Sequence, residues 1–178
     1  MTSRNLTRTI AATAALAAAA AGISAAAAPG EPGYAAAKRI TAAGVGKVKL
    51  GKTFRELRDA GLIERLRPGC ELGGPGTRFA RLKPPLSGTV DFTRTSPRRA
   101  KRVTVRGGAK ARGVGIGATV AQIMTAFPKA TVDHGTEQLF GITLVKIPKD
   151  GGGRIQFAVD VDTKKTTVIA VPTIAFCE

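Results

Sequence analysis

The sequence predicts an α+β protein built from two pseudo-duplicated units, each a short capped helix packed on a three- to four-stranded antiparallel sheet. Three observations carry this. A stretch beginning Val48-Lys-Leu-Gly-Lys-Thr53 returns sixty-six residues later as Val114-Gly-Ile-Gly-Ala-Thr119, and repetition at fixed spacing sets an architecture before any motif is considered. Both copies run into a Thr-x-x-Glu/Gln sequence with helical spacing of apolar residues. Both are then followed by runs in which the apolar period changes to two.

Thr53-Phe-Arg-Glu56 and Thr119-Val-Ala-Gln122 have the form of a capping box. The Thr hydroxyl accepts from the third helical amide, and the Glu56 or Gln122 side chain reaches back to the Thr amide. Phe54, Leu57 and Ala60, and likewise Val120, Ile123 and Phe127, place one apolar stripe on each helix, giving helices of about ten residues. Gly61 and Pro128 are the stop signals. Gly51 and Gly117, two residues before each cap, let the chain turn out of a preceding extended segment.

Strands are expected over 78–83, 86–92 and 102–106 in the first unit, and over 140–147, 154–161 and 166–171 in the second. The glycines at 151–153 mark a hairpin between the first two of these second-unit strands. Alternation puts Phe157, Val159, Val161, Ile142 and Leu144 on a buried face, with Gln156, Asp160 and Lys146 turned outward. The units divide as residues 44–109 and 110–178, and their small size requires that they pack as one compact domain.

Residues 1–28 carry Arg4 and Arg8, then an almost pure alanine run and small residues around Ser24. That order is a secretory signal peptide, with no transmembrane segment remaining after its removal. Cleavage there takes two arginines and no acid, so the net charge of +16 falls to +14. Residues 29–43 are rich in Ala, Gly and Pro and are expected to be a flexible leader. In an oxidising compartment the two cysteines, Cys70 and Cys177, are expected to form a disulfide. A loop of about 100 residues closed this way is worth ~4–5 kcal/mol in the chain-entropy model. A metal pair would need further ligands beside them.

The tandem Gly-x-Thr-x-x-x-(Leu/Ile) helix starts, followed each time by antiparallel strands, resemble the secreted β-lactamase inhibitor proteins of actinobacteria. They are similar also to small envelope lipoproteins of the outer-membrane assembly type, and most of all to uncharacterised exported actinobacterial proteins with this duplicated layout. The resemblance spans residues 44–178 and implies the fold; it is nearly silent on function. Those inhibitors present an aromatic-rich sheet, with a disulfide in each half. This chain has no Trp, one Tyr and one cysteine pair, so no inhibitory residue carries over.

No constellation for catalysis stands out. His134 lies in a turn beside Asp133 without a nucleophile. Asp133, Glu137, Asp160 and Asp162 are too scattered for a metal site. The glycines at 113–117 and 151–153 lack the spacing of a phosphate cradle, and no cofactor is expected. What remains is charge. No acid occurs between Asp91 and Asp133, while Arg94, Arg98, Arg99, Lys101, Arg102, Arg106, Lys110 and Arg112 fall within nineteen residues. Such a band attracts polyanions; equally, it can be a solvated face set by composition. The expectation is a non-catalytic secreted or cell-wall-associated binding module for an anionic envelope polymer or an exported protein. An inhibitor of an exported hydrolase is the alternative, and an enzyme assembled from distant residues the third. Export and the scarcity of aromatics argue against nucleic acid.

Overall fold

In the computed structural model the chain divides into two units, Met1–Gly33 and Tyr34–Glu178. The structure describes residues 38–70, 74–148 and 154–176, all in the second unit. The signal peptide, the first part of the leader, the glycines at 151–153 and Cys177 lie outside the described residues.

Two helices too short to persist alone are held by their caps and by burial. α1 (Phe54–Asp59) begins at Thr53, whose side chain accepts from the Glu56 amide while the Glu56 carboxylate accepts from the Thr53 amide. α2 (Val120–Ala126) begins at Thr119 with the same reciprocal pair through Gln122. Each drives one side chain fully into the core, Leu57 and Ile123. Phe54 meets Phe92 edge-on at 5.6 Å, and Phe127 lies tilted against Phe157 at 6.2 Å.

Ahead of α1 run β1 (Lys38–Thr41), β2 (Gly44–Val45) and β3 (Val48–Lys49). After it come β4 (Arg67–Pro68), β5 (Arg78–Arg81), β6 (Ser87–Phe92) and β7 (Ala100–Gly107). β8 (Ala109–Ala111) and β9 (Val114–Gly115) lead into α2. Then follow β10 (Thr131–Asp133), α3 (Glu137–Phe140), β11 (Ile142–Pro148), β12 (Arg154–Asp160) and β13 (Thr166–Val171). The protein is therefore α+β and mostly strand. Its described strands form a five-stranded sheet, ordered β3-β2-β1-β8-β9, and an eight-stranded sheet, ordered β10-β11-β12-β13-β7-β6-β5-β4.

The eight-stranded sheet is two antiparallel runs joined by their last strands. In that joint Val103 faces Val171, Thr104 faces Ala170 and Val105 faces Ile169. Shifting every number by sixty-six residues exchanges the partners and returns the same three pairs. The same interval relates other contacts. Gly51 N–H donates to Ala100 O and Ala100 N–H to Lys52 O; Gly117 N–H donates to Thr166 O and Thr166 N–H to Ala118 O. The β2–β3 hairpin pairs Val45 with Val48, and the β8–β9 hairpin pairs Ala111 with Val114. Gly46 and Arg112 begin the two hairpin turns with φ 54° and 47°.

One face of the large sheet packs against α1, α2 and the small sheet, burying Val90, Phe92, Val103, Val105, Val145, Phe157 and Ile169 with Ile40, Val45, Val48, Leu57 and Ile123. A smaller cluster of Leu144, Ala158 and Val168 lies apart from this core, with Ile142, Ile174 and Phe176 packed on it. By strand alternation it occupies the other face.

Several expectations are corrected. Ile142 and Leu144 belong to the smaller cluster and not to the face of Phe157 and Val159, because Leu144 faces Ala158 while Val145 faces Phe157; a shift of one residue exchanges faces. Gln156 is buried rather than outward. The segment after β13 crosses that face, and Gln156 Oε1 accepts from the Ile174 amide at 2.8 Å. Residues 38–41, read as part of a patternless leader, form β1 and pair with β2 and β8. The helices have six and seven residues instead of about ten. Four strands, at the upper end of the three to four expected, pair in each run of the large sheet, the added ones being β4 and β10, whose two and three residues leave no periodic trace. Phe140 ends the short helix α3 and does not open a strand.

Two predictions follow from these contacts. Thr119→Ala removes a cap acceptor and is expected to lower stability by about 1 kcal/mol, read as a lower denaturant midpoint with an unchanged slope. Gly88 sits at a register shift opposite Val105 with φ 141°, and a Cβ there would collide with the Thr104 carbonyl. Gly88→Ala should therefore cost roughly 1–3 kcal/mol; an unchanged midpoint would show that the β6–β7 contact is loose.

Candidate functional site

The eight cations that are contiguous in sequence go to three places. Arg94, Arg98 and Arg99 sit in the 93–99 loop, which clasps the start of α1: the Phe54 amide donates to Arg98 O at 2.8 Å. Arg99 donates from Nη1 to Gly51 O at 3.0 Å, and Arg98 from Nη1 to Arg94 O at 3.1 Å. These two side chains tie loops together. On β7, Val103 and Val105 enter the core, so the pleat turns Arg102, Thr104 and Arg106 to the opposite face. Arg102 Nε donates to Asp91 Oδ2 at 2.6 Å across the β6–β7 pair, both side chains being largely covered. Arg106 and Lys101 are exposed and form no ion pair among the described residues.

Lys110 and Arg112 lie elsewhere, at the β8–β9 hairpin, beside Arg39 of β1. The three border a cavity of about 610 Å³. Arg112 is anchored over Phe127, its guanidinium carbon 5.1 Å from the ring centroid, with Nη1 donating to Ala126 O at 3.4 Å. Arg39 was not legible as a site residue, because the leader shows no pattern and the contact is made only by the parallel β1–β8 pairing.

The face opposite the main core carries a row that crosses seven strands in register, with Ala170 and Gln156 buried. It runs Arg81, Thr89, Thr104, Ala170, Gln156, Lys146 and Thr131. The row holds no aromatic side chain. Lys146 is ion-paired with Asp133, which also accepts from the Gly135 amide at 2.9 Å. His134 Nδ1 lies 2.6 Å from Glu137 Oε1, with the imidazole largely exposed; Thr143 donates to the same carboxylate. This is a local turn network. No group of three or more His, Cys, Asp or Glu able to hold a metal occurs among the described residues. No helix there is long and apolar enough to cross a membrane. Cys70 is disulfide-bonded, and Cys177, its expected partner, lies outside the described residues.

The acids engage their own surroundings. The Lys52 ammonium, then the Thr53 amide and hydroxyl, hold Glu56 down to about 2 from its ordinary 4.5. Asp133 is lowered by Lys146 and then by the Gly135 amide. Glu137 is lowered by the Thr143 hydroxyl and then by His134, and Asp160 by the Thr163 amide and hydroxyl. These carboxylates are spent on turns and caps, and none faces Arg39, Lys110 or Arg112.

Searches against protein families, curated proteins and solved structures return no match to this chain.

A pH dependence follows. Each of these carboxyls has a folded-state pKa below its unfolded value, so its stabilisation is complete above the unfolded value and disappears as pH falls through the folded one. For Glu56 that window runs from about 4.5 down to about 2. Melting temperature should hold from neutral pH to about 4.5 and fall below it. Glu56→Gln should melt lower at neutral pH and lose less on acidification, because the Gln122 box already does without the charge.

Proposed function

We propose that the chain is a non-catalytic binding module, secreted or associated with the cell wall, that engages anionic envelope polymers through β7. In this reading it is built as two tandem α+β units. The sixty-six-residue interval supports that layout, since it recurs in the caps, the hairpins, the strand-to-turn contacts and the β7–β13 register. The exported reading rests on residues 1–28 and on the cysteine pair.

One observation carries the polymer reading. In the acid-free span from Asp91 to Asp133, Lys101 and Arg106 stand exposed along one strand without an ion pair among the described residues, on either side of the Arg102–Asp91 pair. Cations arrayed at strand spacing match a repeating anion better than a single compact one, and their unneutralised field attracts it over a Debye length. The Arg102–Asp91 bond orients the middle member, and the carboxylate offsets its field. The chain has no Trp and one Tyr, and so little of the Trp- and Tyr-anchored surface on which tight protein inhibition relies. That favours a polymer over an exported hydrolase as partner.

The test is retention of the mature chain on a polyanionic resin over a salt series. Elution should shift steeply with salt through counterion release. Lys101→Ala/Arg106→Ala should elute at lower salt than wild type, with an unchanged melting temperature. Retention equal for the two proteins, or independent of salt, rejects the reading. For the cysteines, a thiol assay on folded, unreduced protein should detect no free thiol; two titratable thiols reject the bridge.

A further inference from the structure

We infer that the cavity between the small sheet and the strand positions Ile147, Pro148 and Ile155 is a binding site for a single anionic amphiphile, a carboxylate or phosphate monoester carrying an apolar chain. It is separate from the polymer surface on β7 and does not depend on that reading. The volume of about 610 Å³ falls within the range of ligand pockets. Its floor is apolar: Ile40, Phe127, Ile147 and Ile155 all line it and all belong to the main core. Its rim is cationic, formed by Arg39, Lys110 and Arg112, and no carboxylate is among its described lining residues.

Two features of the rim cost stability without a ligand. Arg39 and Lys110 are direct partners on the parallel strands β1 and β8, and like charges placed opposite each other across a strand pair repel. Neither forms an ion pair among the described residues. Arg112 adopts φ 47°, in the left-handed region that non-glycine residues enter at a cost. At the corresponding place in the β2–β3 hairpin the chain uses Gly46, with φ 54°. A glycine would therefore suit the turn at 112 better, and an arginine stands there with its guanidinium over Phe127 at the cavity mouth.

The chemistry of the occupant follows from the lining. One anionic headgroup placed among three cations removes their mutual repulsion and gains charge-assisted hydrogen bonds, the guanidinium matching a planar carboxylate or a phosphate. A hydrated inorganic anion would leave the isoleucine and phenylalanine floor unused. An uncharged hydrocarbon would leave the cations opposed. Only a molecule with both parts satisfies the floor and the rim together.

The experiment titrates the full mature chain calorimetrically, below micelle-forming concentrations, with laurate, dodecyl phosphate, dodecanol and inorganic phosphate. Laurate or dodecyl phosphate should bind with one-to-one stoichiometry, and whichever binds more tightly identifies the headgroup as carboxylate or phosphate. Dodecanol and inorganic phosphate should each bind at least tenfold more weakly. Arg112→Gly should stay folded and melt near the wild-type temperature, because relief of the left-handed turn offsets the lost Phe127 and Ala126 contacts, and should bind the amphiphile at least tenfold more weakly. Lys110→Ala should weaken binding in the same direction, while Lys101→Ala/Arg106→Ala should leave it unchanged. Equal affinity for dodecanol would reduce the site to an apolar hole, and equal affinity for inorganic phosphate to a general anion site. Either result overturns the inference, as does undiminished amphiphile binding in a folded Arg112→Gly protein or the absence of binding by both amphiphiles.

Discussion

The antiparallel seam between β7 and β13 is the contact on which the rest of the molecule rests. Without it, eight strands become two short runs, each with an exposed edge and a helix too small to cover it. With it, Val103, Val105, Ile169 and Val171 form one apolar strip across the middle of the sheet, and α1 and α2 both have a floor. The first residues of the same two strands, Ala100 and Thr166, also receive the turns that lead into the helices. Sheet, turn and helix start are thus coupled at both ends of one seam. That coupling lets helices of six and seven residues persist where the chain alone would not hold them.

The seam also decides where charge can go. β7 needs its valines inward, so its alternate positions are turned to the open face, and arginines there cost no core packing. Arg102 is the exception that is held, because Asp91 on the neighbouring strand reaches it. Glu56, Asp133, Glu137 and Asp160 close caps and turns near themselves. Two structurally unrelated surfaces concentrate unpaired cations from the acid-free span: the exposed end and outer face of β7, and the cavity bordered by Arg39, Lys110 and Arg112. The first is open and linear, the second concave with an apolar floor. Their shapes call for different anions.

The caps were legible because a capping box is a local device: four residues contain both its donors and both its acceptors. The longer strands were legible for a similar reason, as period-two alternation survives wherever one face is buried. The face assignment of β11 was not. Ile142 and Leu144 are as apolar as Val145 and Ile147, and both sides of this strand are covered, so composition carries no sign to tell one face from the other. Gln156 misled for the same reason. A glutamine in a strand is expected outward, and only the return of the segment after β13, bringing the Ile174 amide to its side chain, makes its burial satisfied.

By itself the sequence determined the α+β class, the two helix starts at Thr53 and Thr119, the longer strands and the clustering of cations, all of which depend on neighbours within a few residues. Tertiary structure alone decided that β1 exists, that β7 meets β13, and that one contiguous run of cations separates into three places. The first two depend on pairing between segments sixty or more residues apart. Arg39 and Lys110 show the difference most plainly: seventy-one positions separate them in the chain, and the parallel pairing of β1 with β8 sets them side by side.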